Sequence, residues 1–196
     1  MSEAGHAPSP WLLRWAHLIA AGGSVLDVAA GSGRHTRWLA AQGFVVTAVD
    51  RDAEAMAALA GIAETITTDL EAAPWPLGSR RFDAVLVTHY LWRPLMPVLL
   101  RALAPGGMLV HETFAAGNET VGRPARPEFL LGRGELLSLT AGLQVVAYED
   151  GFLERPERFV QRIVARRALD GEPPLRLLLA GTARPAADAG SLESGG

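Results

Sequence analysis

The sequence predicts an α/β protein: a three-layer sandwich whose mostly parallel seven-strand sheet ends in an antiparallel hairpin. Strand-like apolar runs alternate along the chain with helix-like blocks and short loops. Residues 25–29 are apolar apart from Asp27, which is typical of a parallel strand covered on both faces. The last two predicted strands are separated only by residues 149–157, which leave no room for a crossover helix, so they form an antiparallel pair.

Local signals place the elements along the chain. Ser9 and Pro10 form a helix cap and first turn, and Asp52 caps a later helix. Gly43 and Gly61 stop two helices. In chain order the predicted elements are a helix at 9–19, a strand at 25–29, a helix at 36–42, a strand at 44–49, a helix at 52–60, strands at 65–68 and 82–87, a helix at 94–103, a strand at 108–113, a helix at 134–141 and strands at 145–148 and 159–164.

The composition fits one globular domain. Of 196 residues, 49% are hydrophobic and 20% are charged, which suits a chain with a sizeable core. We expect a single domain over residues 1–180, with an N-terminal helical region at 1–23. Residues 181–196 are small and polar, so we expect a flexible tail there.

Composition also excludes several classes of function. The chain has no cysteine, so it forms no disulfide, thiolate metal site or cysteine nucleophile, and we predict no metal site. A net charge of −3 and the lack of a basic stripe argue against a nucleic-acid partner. No stretch approaches the roughly 20 apolar residues of a membrane span. Arg14 and His17 interrupt the first apolar run, so we expect no signal peptide and a cytoplasmic location.

Residues 24–36 carry the most specific pattern. A strand with Asp27 near its end leads to a turn that contains Gly31 and Gly33, and a helix follows. Glycine lets the backbone approach a ligand closely because it has no Cβ. The next strand ends at Asp50, where a carboxylate can bind the hydroxyls of an adenosine ribose. The pattern predicts a nucleoside site.

Two ligand classes use this layout. Dinucleotide sites need a third glycine beneath the pyrophosphate, and Thr36 occupies that place. A carboxylate before the turn, Asp27, suits a ligand with a cationic amino group. The stretch Asp27-Val28-Ala29-Ala30-Gly31-Ser32-Gly33 resembles the first motif of class I S-adenosylmethionine-dependent methyltransferases, roughly D/E-x-G-x-G-x-G. Ala29 departs from that motif, and an alanine is acceptable there if its φ angle is negative.

The resemblance implies the strand order 3-2-1-4-5-7-6 and S-adenosylmethionine as cofactor. It implies that Asp50 binds the ribose, that Asp69 bonds the adenine amino group and that Leu70 packs on the ring. For Asp50 the alternative is a helix cap, and for Asp69 a solvated loop acid. In this family the acid at Asp27 often acts through water or by fixing the glycine turn. The residues assigned to the cofactor are Asp27, Ala29, Gly31, Gly33, Arg34, Asp50, Arg51, Asp69, Leu70 and Thr88.

The catalytic candidates follow the fourth and fifth strands, because ligands of such sheets bind beyond the carboxyl ends of the strands. His89 can act as a general base near neutral pH, and Tyr90 can shape a slot around a sulfonium through cation–π contact. Glu112 can be a base or can cap a backbone amide. A structural role is the alternative for all three.

The longest irregular connection is residues 115–131, which we call the lid segment because a loop of this length in a compact domain is usually a lid or binding loop. Arg93, Arg123 and Arg126 are candidates for attracting an anionic substrate, and solvated surface charges are the alternative. Part of the chain also resembles the small bacterial tellurite-resistance methyltransferases. That narrower resemblance rests on residues 90–94, 112–114, 118, 122–124 and 129–131.

The resemblance therefore implies direct methyl transfer from S-adenosylmethionine to an acceptor, for which we expect a small molecule. Two alternatives stay open. A non-catalytic S-adenosylmethionine-binding or scaffold protein carries the same motifs. An NAD(P)-dependent oxidoreductase shares the nucleotide half, but Thr36 and the absence of lysine from the 18 basic residues count against it. The sequence leaves the acceptor and the oligomeric state open.

Overall fold

Seven strands form one mixed sheet in the computed structural model, which describes residues 7–169, 171–173 and 176–179. The strands are β1 Ser24–Val28, β2 Val45–Asp50, β3 Glu64–Thr67, β4 Phe82–Thr88, β5 Leu103–Phe114, β6 Gln144–Glu154 and β7 Glu157–Arg166. Their spatial order is β3-β2-β1-β4-β5-β7-β6. β7 runs antiparallel to both neighbours, and the other pairs are parallel. The predicted fold class and strand order are confirmed.

Short helices cover both faces of the sheet. In the described part of the chain the α-helices are α1 Pro10–Trp15, α2 Arg34–Ala41, α3 Ala53–Ala57, α4 Met96–Arg101 and α5 Glu135–Leu139. Trp11 of α1 and Leu39 of α2 are buried against one face, and Leu99 of α4 is buried against the other. The apolar helix faces and the apolar strands therefore meet in two core layers, one on each side of the sheet.

The alternation of side chains along β1 determines which face of the sheet carries Asp27. Val25 packs with α1 and α2, whereas Leu26 and Val28 pack with α4 on the opposite face. Successive side chains of a strand point to opposite faces, so Asp27 lies on the α2 side, where it is fully buried. The acid of the predicted motif is thus inside the core layer beneath the glycine turn.

The carboxyl-terminal hairpin is larger than predicted. β6 and β7 pair from Gln144 opposite Arg166 to Glu154 opposite Glu157 and are joined by residues 155–156. The predicted connection, 149–157, is therefore mostly strand. Its polar composition indicated a loop because β6 is an edge strand, where half-exposed positions accept charged residues.

Several element bounds also differ from the prediction. The helix predicted at 94–103 begins as a 3₁₀ turn at Arg93–Leu95 and ends as α4, and the alanine-rich helix predicted at 52–60 is only the short α3. Residues 105–107, which lie between the predicted helix at 94–103 and the predicted strand at 108–113, belong to β5, whose register against β4 shifts near Phe82. These changes are local and leave the order of the strands unaffected.

The first and last predicted segments have different outcomes. The predicted Ser9 cap is confirmed, since its Oγ accepts a hydrogen bond from the Trp11 N–H at 3.1 Å. The lid segment contains 3₁₀ turns at Asn118–Thr120 and Pro127–Phe129 but no longer helix or strand. The predicted tail, 181–196, lies outside the described residues.

Candidate functional site

A cavity of about 380 Å³ opens at the carboxyl ends of β1, β2, β3 and β4. We call it the strand-end cavity. It brings together five residues that the sequence assigns to a cofactor, together with one catalytic candidate and one residue of the lid segment. The lining residues are Ala29, Asp50, Arg51, Thr68, Asp69, Leu70, Glu71, Tyr90 and Phe129.

The glycine turn has an unusual backbone. Ala29, Gly31 and Gly33 have φ angles of 53°, 55° and 76°, all in the left-handed region. From the sequence, alanine was acceptable at position 29 only with a negative φ, and this condition is not met. Ala29 is therefore strained at a position where the motif that it resembles has glycine. A Cβ on Gly33 would lie 2.5 Å from a methyl of Leu59, whereas one on Gly31 would meet nothing within 4 Å. Gly33 is needed for packing, and Gly31 leaves open space beside the main chain.

Asp50 links the second strand to this turn. Its Oδ2 accepts a hydrogen bond from the Gly31 N–H at 2.8 Å, and its Oδ1 accepts one from the Asp52 N–H at 2.9 Å. Asp52 itself caps α3 by accepting from the Glu54 and Ala55 N–H groups, so the helix does not need Asp50 as its cap. An ionised carboxylate offers about four acceptor positions, so Asp50 keeps capacity for ligand hydroxyls in the cavity.

The loop after β3 forms the opposite wall. The Asp69 Oδ1 accepts from the Glu71 N–H at 2.9 Å, and its carbonyl accepts from the Ala73 N–H at 2.8 Å. These bonds fold the loop back so that Asp69, Leu70 and Glu71 all line the cavity. The wall therefore combines an apolar side chain with acceptor groups, as a nucleoside base requires.

Asp27 does not line the cavity. Its Oδ2 accepts from the Thr36 hydroxyl at 2.7 Å, and its Oδ1 is buried without a partner among the described residues. Burial, opposed by the hydrogen bonds from Thr36, raises the pKa of the Asp27 carboxyl from 3.8 to about 6. Asp27 therefore links β1 to α2 beneath the glycine turn through the hydrogen bond from the Thr36 hydroxyl.

A second group of polar residues lies at the same edge of the sheet, around the ends of β4, β5 and β7. One row crosses the sheet: Glu112 of β5 pairs with Arg162 of β7, which pairs with Glu149 of β6. Arg162 donates to a Glu112 oxygen at 3.4 Å and through its Nε to a Glu149 oxygen at 2.8 Å. The Ser9 hydroxyl also donates to Glu112, at 3.2 Å. Glu112 is thus held by charged and polar partners although only 1% of it is exposed.

His89 lies between two guanidinium groups. Its Nδ1 is 3.5 Å from Arg34 Nη2, its Nε2 is 3.4 Å from Arg158 Nη1, and the ring packs against Phe114. Burial is the main cause that lowers the pKa of His89, and the two arginines add to it, while Glu112 opposes it. A neutral imidazole has one acceptor nitrogen, so it can accept from only one of the two arginines.

We call Arg34, His89, Glu112, Arg158 and Arg162 the arginine cluster. The Nε of Arg158 is buried without a partner among the described residues, and its Nη2 is 3.9 Å from Glu112. Glu112 is the one carboxylate of the cluster and contacts Arg158 and Arg162, while Glu149 neutralises part of the charge of Arg162 from outside the cluster. The cluster therefore has more hydrogen-bond donors than acceptors and an excess of positive charge.

Two buried histidines support this side of the sheet. His35 of α2 is 3.2 Å from the Thr88 hydroxyl, and burial lowers its pKa to about 3. His111 of β5 lies 3.3 Å from the Tyr90 carbonyl, and burial lowers its pKa to about 4. Both are therefore neutral near pH 7, and the His111 N–H can donate to the loop that carries Tyr90.

Tyr90 reaches the strand-end cavity from that loop. Its hydroxyl is buried without a partner among the described residues. Burial and the nearby carboxylates of Glu71 and Asp69 raise the pKa of the Tyr90 hydroxyl, which stays protonated. Burying an O–H donor without a partner is costly.

The three arginines predicted to bind substrate are not brought together. Arg93 is bound to the Glu135 carboxylate and to two carbonyls of the lid segment. Arg126 is exposed and pairs with Glu128 at 2.8 Å, and Arg123 is exposed. None of them lines the strand-end cavity. Arg158 and Arg162 were not identified as site residues from the sequence. They are four residues apart, which places them on the same face of β7, and this spacing is their only sequence signal.

Among residues 7–169, 171–173 and 176–179, no helix is long and apolar enough to span a membrane. The same residues contain no group of three or more histidine, cysteine, aspartate or glutamate side chains placed to hold a metal ion.

Comparison with known proteins gives a family match and several similar folds. Residues 25–107 match the family model described as a methyltransferase domain. The search of curated protein sequences found no significant match. The chain spans 60% of the length of TehB from Haemophilus influenzae, with 78% of this chain covered, 19% identity and a TM-score of 0.65.

Two further structures resemble the chain over most of their length. A TehB-like S-adenosylmethionine-dependent methyltransferase from Corynebacterium glutamicum shares 22% identity, with 83% of this chain and 91% of that one covered and a TM-score of 0.58. One from Methanosarcina mazei shares 17% identity over 83% of this chain and 99% of that one, with a TM-score of 0.65. At these identities the similarity establishes the fold.

Proposed function

We propose that this chain is a class I methyltransferase that uses S-adenosylmethionine and transfers its methyl group to a small anionic acceptor. The observation that carries this proposal is the contact of Asp50 with the glycine turn. It places a carboxylate with spare acceptor positions beside open main chain, at the edge of the sheet where such folds bind ligands.

The residues present fit the cofactor. A Cβ on Gly31 would meet nothing within 4 Å, which leaves room beside the turn, and Asp50 can accept from ribose hydroxyls. We propose that the Tyr90 side chain contacts the ligand at the cavity wall. We propose that Asp69 and Leu70 hold the base at the opposite wall. When bound, S-adenosylmethionine supplies a methyl group on a sulfonium, which is an electrophile that needs no covalent help from the protein.

The charge of the acceptor is inferred from the arginine cluster. Arg34 and Arg158 both point a guanidinium at His89, which can satisfy only one of them. An anionic group placed between them would accept the remaining N–H donors and offset the positive charge. We therefore propose that the acceptor carries a carboxylate or an oxyanion, with its reacting atom directed toward the strand-end cavity.

His89 is the proposed base for acceptors that must lose a proton. Its lowered pKa keeps the imidazole neutral at pH 7, so one ring nitrogen can accept a proton. The Glu112 carboxylate, 3.7 Å from Nε2, would then stabilise the imidazolium. Acceptors that are already anionic at the reacting atom need no base, and for them His89 only positions the substrate.

Two measurements test the proposal. Titration calorimetry with S-adenosylhomocysteine measures cofactor binding, for which we expect one site per chain. Transfer from a labelled methyl donor is then measured with pairs of thiol and phenol acceptors that differ only in a carboxylate or its uncharged amide, together with inorganic oxyanions. We expect transfer to the anionic members and much slower transfer to their neutral partners.

Three outcomes would contradict the proposal. Binding of the cofactor without transfer to any acceptor favours a non-catalytic binding protein. Equal rates with charged and neutral acceptors remove the argument from the arginine cluster. A change in NADH fluorescence on mixing, together with no binding of S-adenosylhomocysteine, favours the oxidoreductase alternative.

A further inference from the structure

The lid segment is fixed at both ends and meets the cavity at one residue. The Ala116 N–H donates to the Leu131 carbonyl at 2.8 Å, and the Leu131 N–H donates to the Phe114 carbonyl at 3.0 Å. Leu130 and Leu131 are buried, whereas Phe129 is 38% exposed. Phe129 also lines the strand-end cavity. The leucines thus anchor the segment and leave the aromatic ring at the cavity wall.

Arg93 holds the backbone on both sides of Phe129. Its Nη1 donates to the Glu128 carbonyl and its Nη2 to the Leu130 carbonyl, each at 2.8 Å. These are the residues immediately before and after Phe129. Fixing both flanking carbonyls fixes the direction in which the ring between them points.

A carboxylate orients the Arg93 guanidinium. The two oxygens of Glu135, at the start of α5, accept from Arg93 Nε and Nη2. One of these oxygens also accepts from the Gly132 N–H at 2.7 Å. The contact with Arg93 lowers the pKa of Glu135, so the pair is charged. A planar guanidinium can serve a carboxylate and two carbonyls at once, whereas a lysine ammonium has no such fork.

We propose that Arg93 is a positioning residue that holds Phe129 against the cofactor and so sets how long the cofactor stays bound. This inference rests on the proposed function, because it takes the strand-end cavity as the cofactor site. It assigns to Arg93 a role other than the predicted contact with substrate. It also makes Phe129, which belongs to no buried core cluster, a contact residue for the nucleoside.

The inference predicts a specific pattern among variants. Arg93→Gln removes the fork, and Phe129→Ala removes the ring. Each is expected to raise the dissociation rate of S-adenosylhomocysteine roughly tenfold, which is the order expected for one aromatic contact with a base. If Arg93 acts only through the ring, the double variant Arg93→Gln/Phe129→Ala is no worse than Phe129→Ala alone.

The experiment combines stopped-flow measurement of S-adenosylhomocysteine dissociation with hydrogen exchange of residues 128–132 in the ligand-free protein. Arg133→Gln is the matched control, because Arg133 is an exposed arginine of the neighbouring loop. Arg93→Lys keeps the charge but not the fork, so its dissociation rate should approach that of Arg93→Gln. Faster exchange at 128–132 is expected for both Arg93 variants and not for the control.

The outcomes separate the two proposals. If the unaltered protein does not bind S-adenosylhomocysteine, the proposed function fails, and this inference fails with it. If the protein binds but the Arg93 and Phe129 variants release the ligand at the unaltered rate, only the inference fails. Additive effects in the double variant would also overturn it, since they mean that Arg93 acts on general stability. Where Arg93→Gln does not fold, Arg93→Lys provides the same comparison.

Discussion

The strand-end cavity and the arginine cluster lie at the same edge of the sheet, but different kinds of contact hold their residues in place. The strand-end cavity, at the ends of β1 to β4, contains carboxylates that backbone N–H groups hold in place, as those of Gly31 and Asp52 hold Asp50. The arginine cluster, at β4, β5 and β7, uses side chains that hold one another across strands, as Glu112 and Arg162 do. A backbone-held site is encoded locally, whereas a site of paired side chains depends on contacts between distant parts of the chain.

The largest expected effect is on the cavity side. Asp50→Ala should weaken binding of S-adenosylhomocysteine by roughly 100-fold, because charged hydrogen bonds to the ribose hydroxyls contribute about 1.5–3 kcal/mol each. Titration calorimetry measures the change. Asp52→Ala is the control, since it removes the α3 cap and about 1 kcal/mol of stability but no ligand contact. Unchanged affinity in Asp50→Ala would remove Asp50 from the site.

A somewhat smaller effect is expected on the cluster side. Arg158→Gln should raise the KM for an anionic acceptor by roughly tenfold or more and leave the dissociation constant of the cofactor unchanged. Arg155→Gln is the control, because Arg155 is an exposed residue of the turn between β6 and β7. An equal rise in the KM for the acceptor and in the dissociation constant of the cofactor would mean that the arginine cluster and the strand-end cavity do not act separately.

Two buried groups, Asp27 of β1 on the cavity side and His111 of β5 on the cluster side, should change the stability of the protein in opposite directions in acid. The pKa of Asp27 is about 6, above its ordinary 3.8, so the folded state takes up a proton first and gains stability as the pH falls toward 4. The pKa of His111 is about 4, below its ordinary 6.5, so the unfolded state takes up the proton first and stability is lost as the pH falls below about 6.5.

Urea unfolding at pH 7 and pH 5 measures this difference. Between pH 7 and pH 5, the free energy of unfolding should fall by about 1–2 kcal/mol less in His111→Gln than in the unaltered protein, because the titrating imidazole is gone. In Asp27→Asn the free energy of unfolding should fall by about 1 kcal/mol more than in the unaltered protein, because the carboxyl whose protonation stabilises the folded state is gone. A change in the same direction for both variants would contradict the assignment of opposite signs.

The smallest effect concerns the strained turn. Ala29→Gly should raise the free energy of unfolding by about 0.5–1 kcal/mol, because glycine adopts a φ of 53° without a Cβ penalty. Cofactor affinity should stay within about twofold, since the turn already has the required shape. Thermal unfolding and calorimetry measure both. Lower stability in this variant would mean that the alanine methyl contributes packing that exceeds the strain.

The sequence allowed the fold and one side of the site to be predicted. The order of strands and the assignments of Asp69 and Leu70 followed from the resemblance, whereas Asp50 was also indicated by its position at the end of the strand after the glycine turn. All three line the strand-end cavity, and their contacts with a cofactor stay a prediction. Within the predicted motif, the structure does not place Asp27 at the cavity. Its type indicated a ligand contact, but alternation along β1 turns it toward α2 and away from the cavity.

The arginine cluster could not be predicted in the same way. Arg158 and Glu112 are 46 residues apart in sequence, and only the insertion of β7 beside β5 brings them together. Arg93 was misjudged for a related reason: an arginine near strand ends indicates anion binding until its partner, Glu135, is known. Charged residues on β6 indicated a loop because an edge strand and a loop share the same polar composition.

The antiparallel insertion of β7 has a consequence for how the chain is made. Apart from Phe129, the lining residues of the cavity have all been synthesised by residue 90, whereas Arg158 and Arg162 emerge last. Until β7 is added, the edge of β5 over Met108–Phe114, where β7 pairs in the folded protein, has unpaired backbone groups. A chain that ends before β7 would therefore have the residues proposed to bind the cofactor, would lack Arg158 and Arg162, and would expose a strand edge that can pair with other chains.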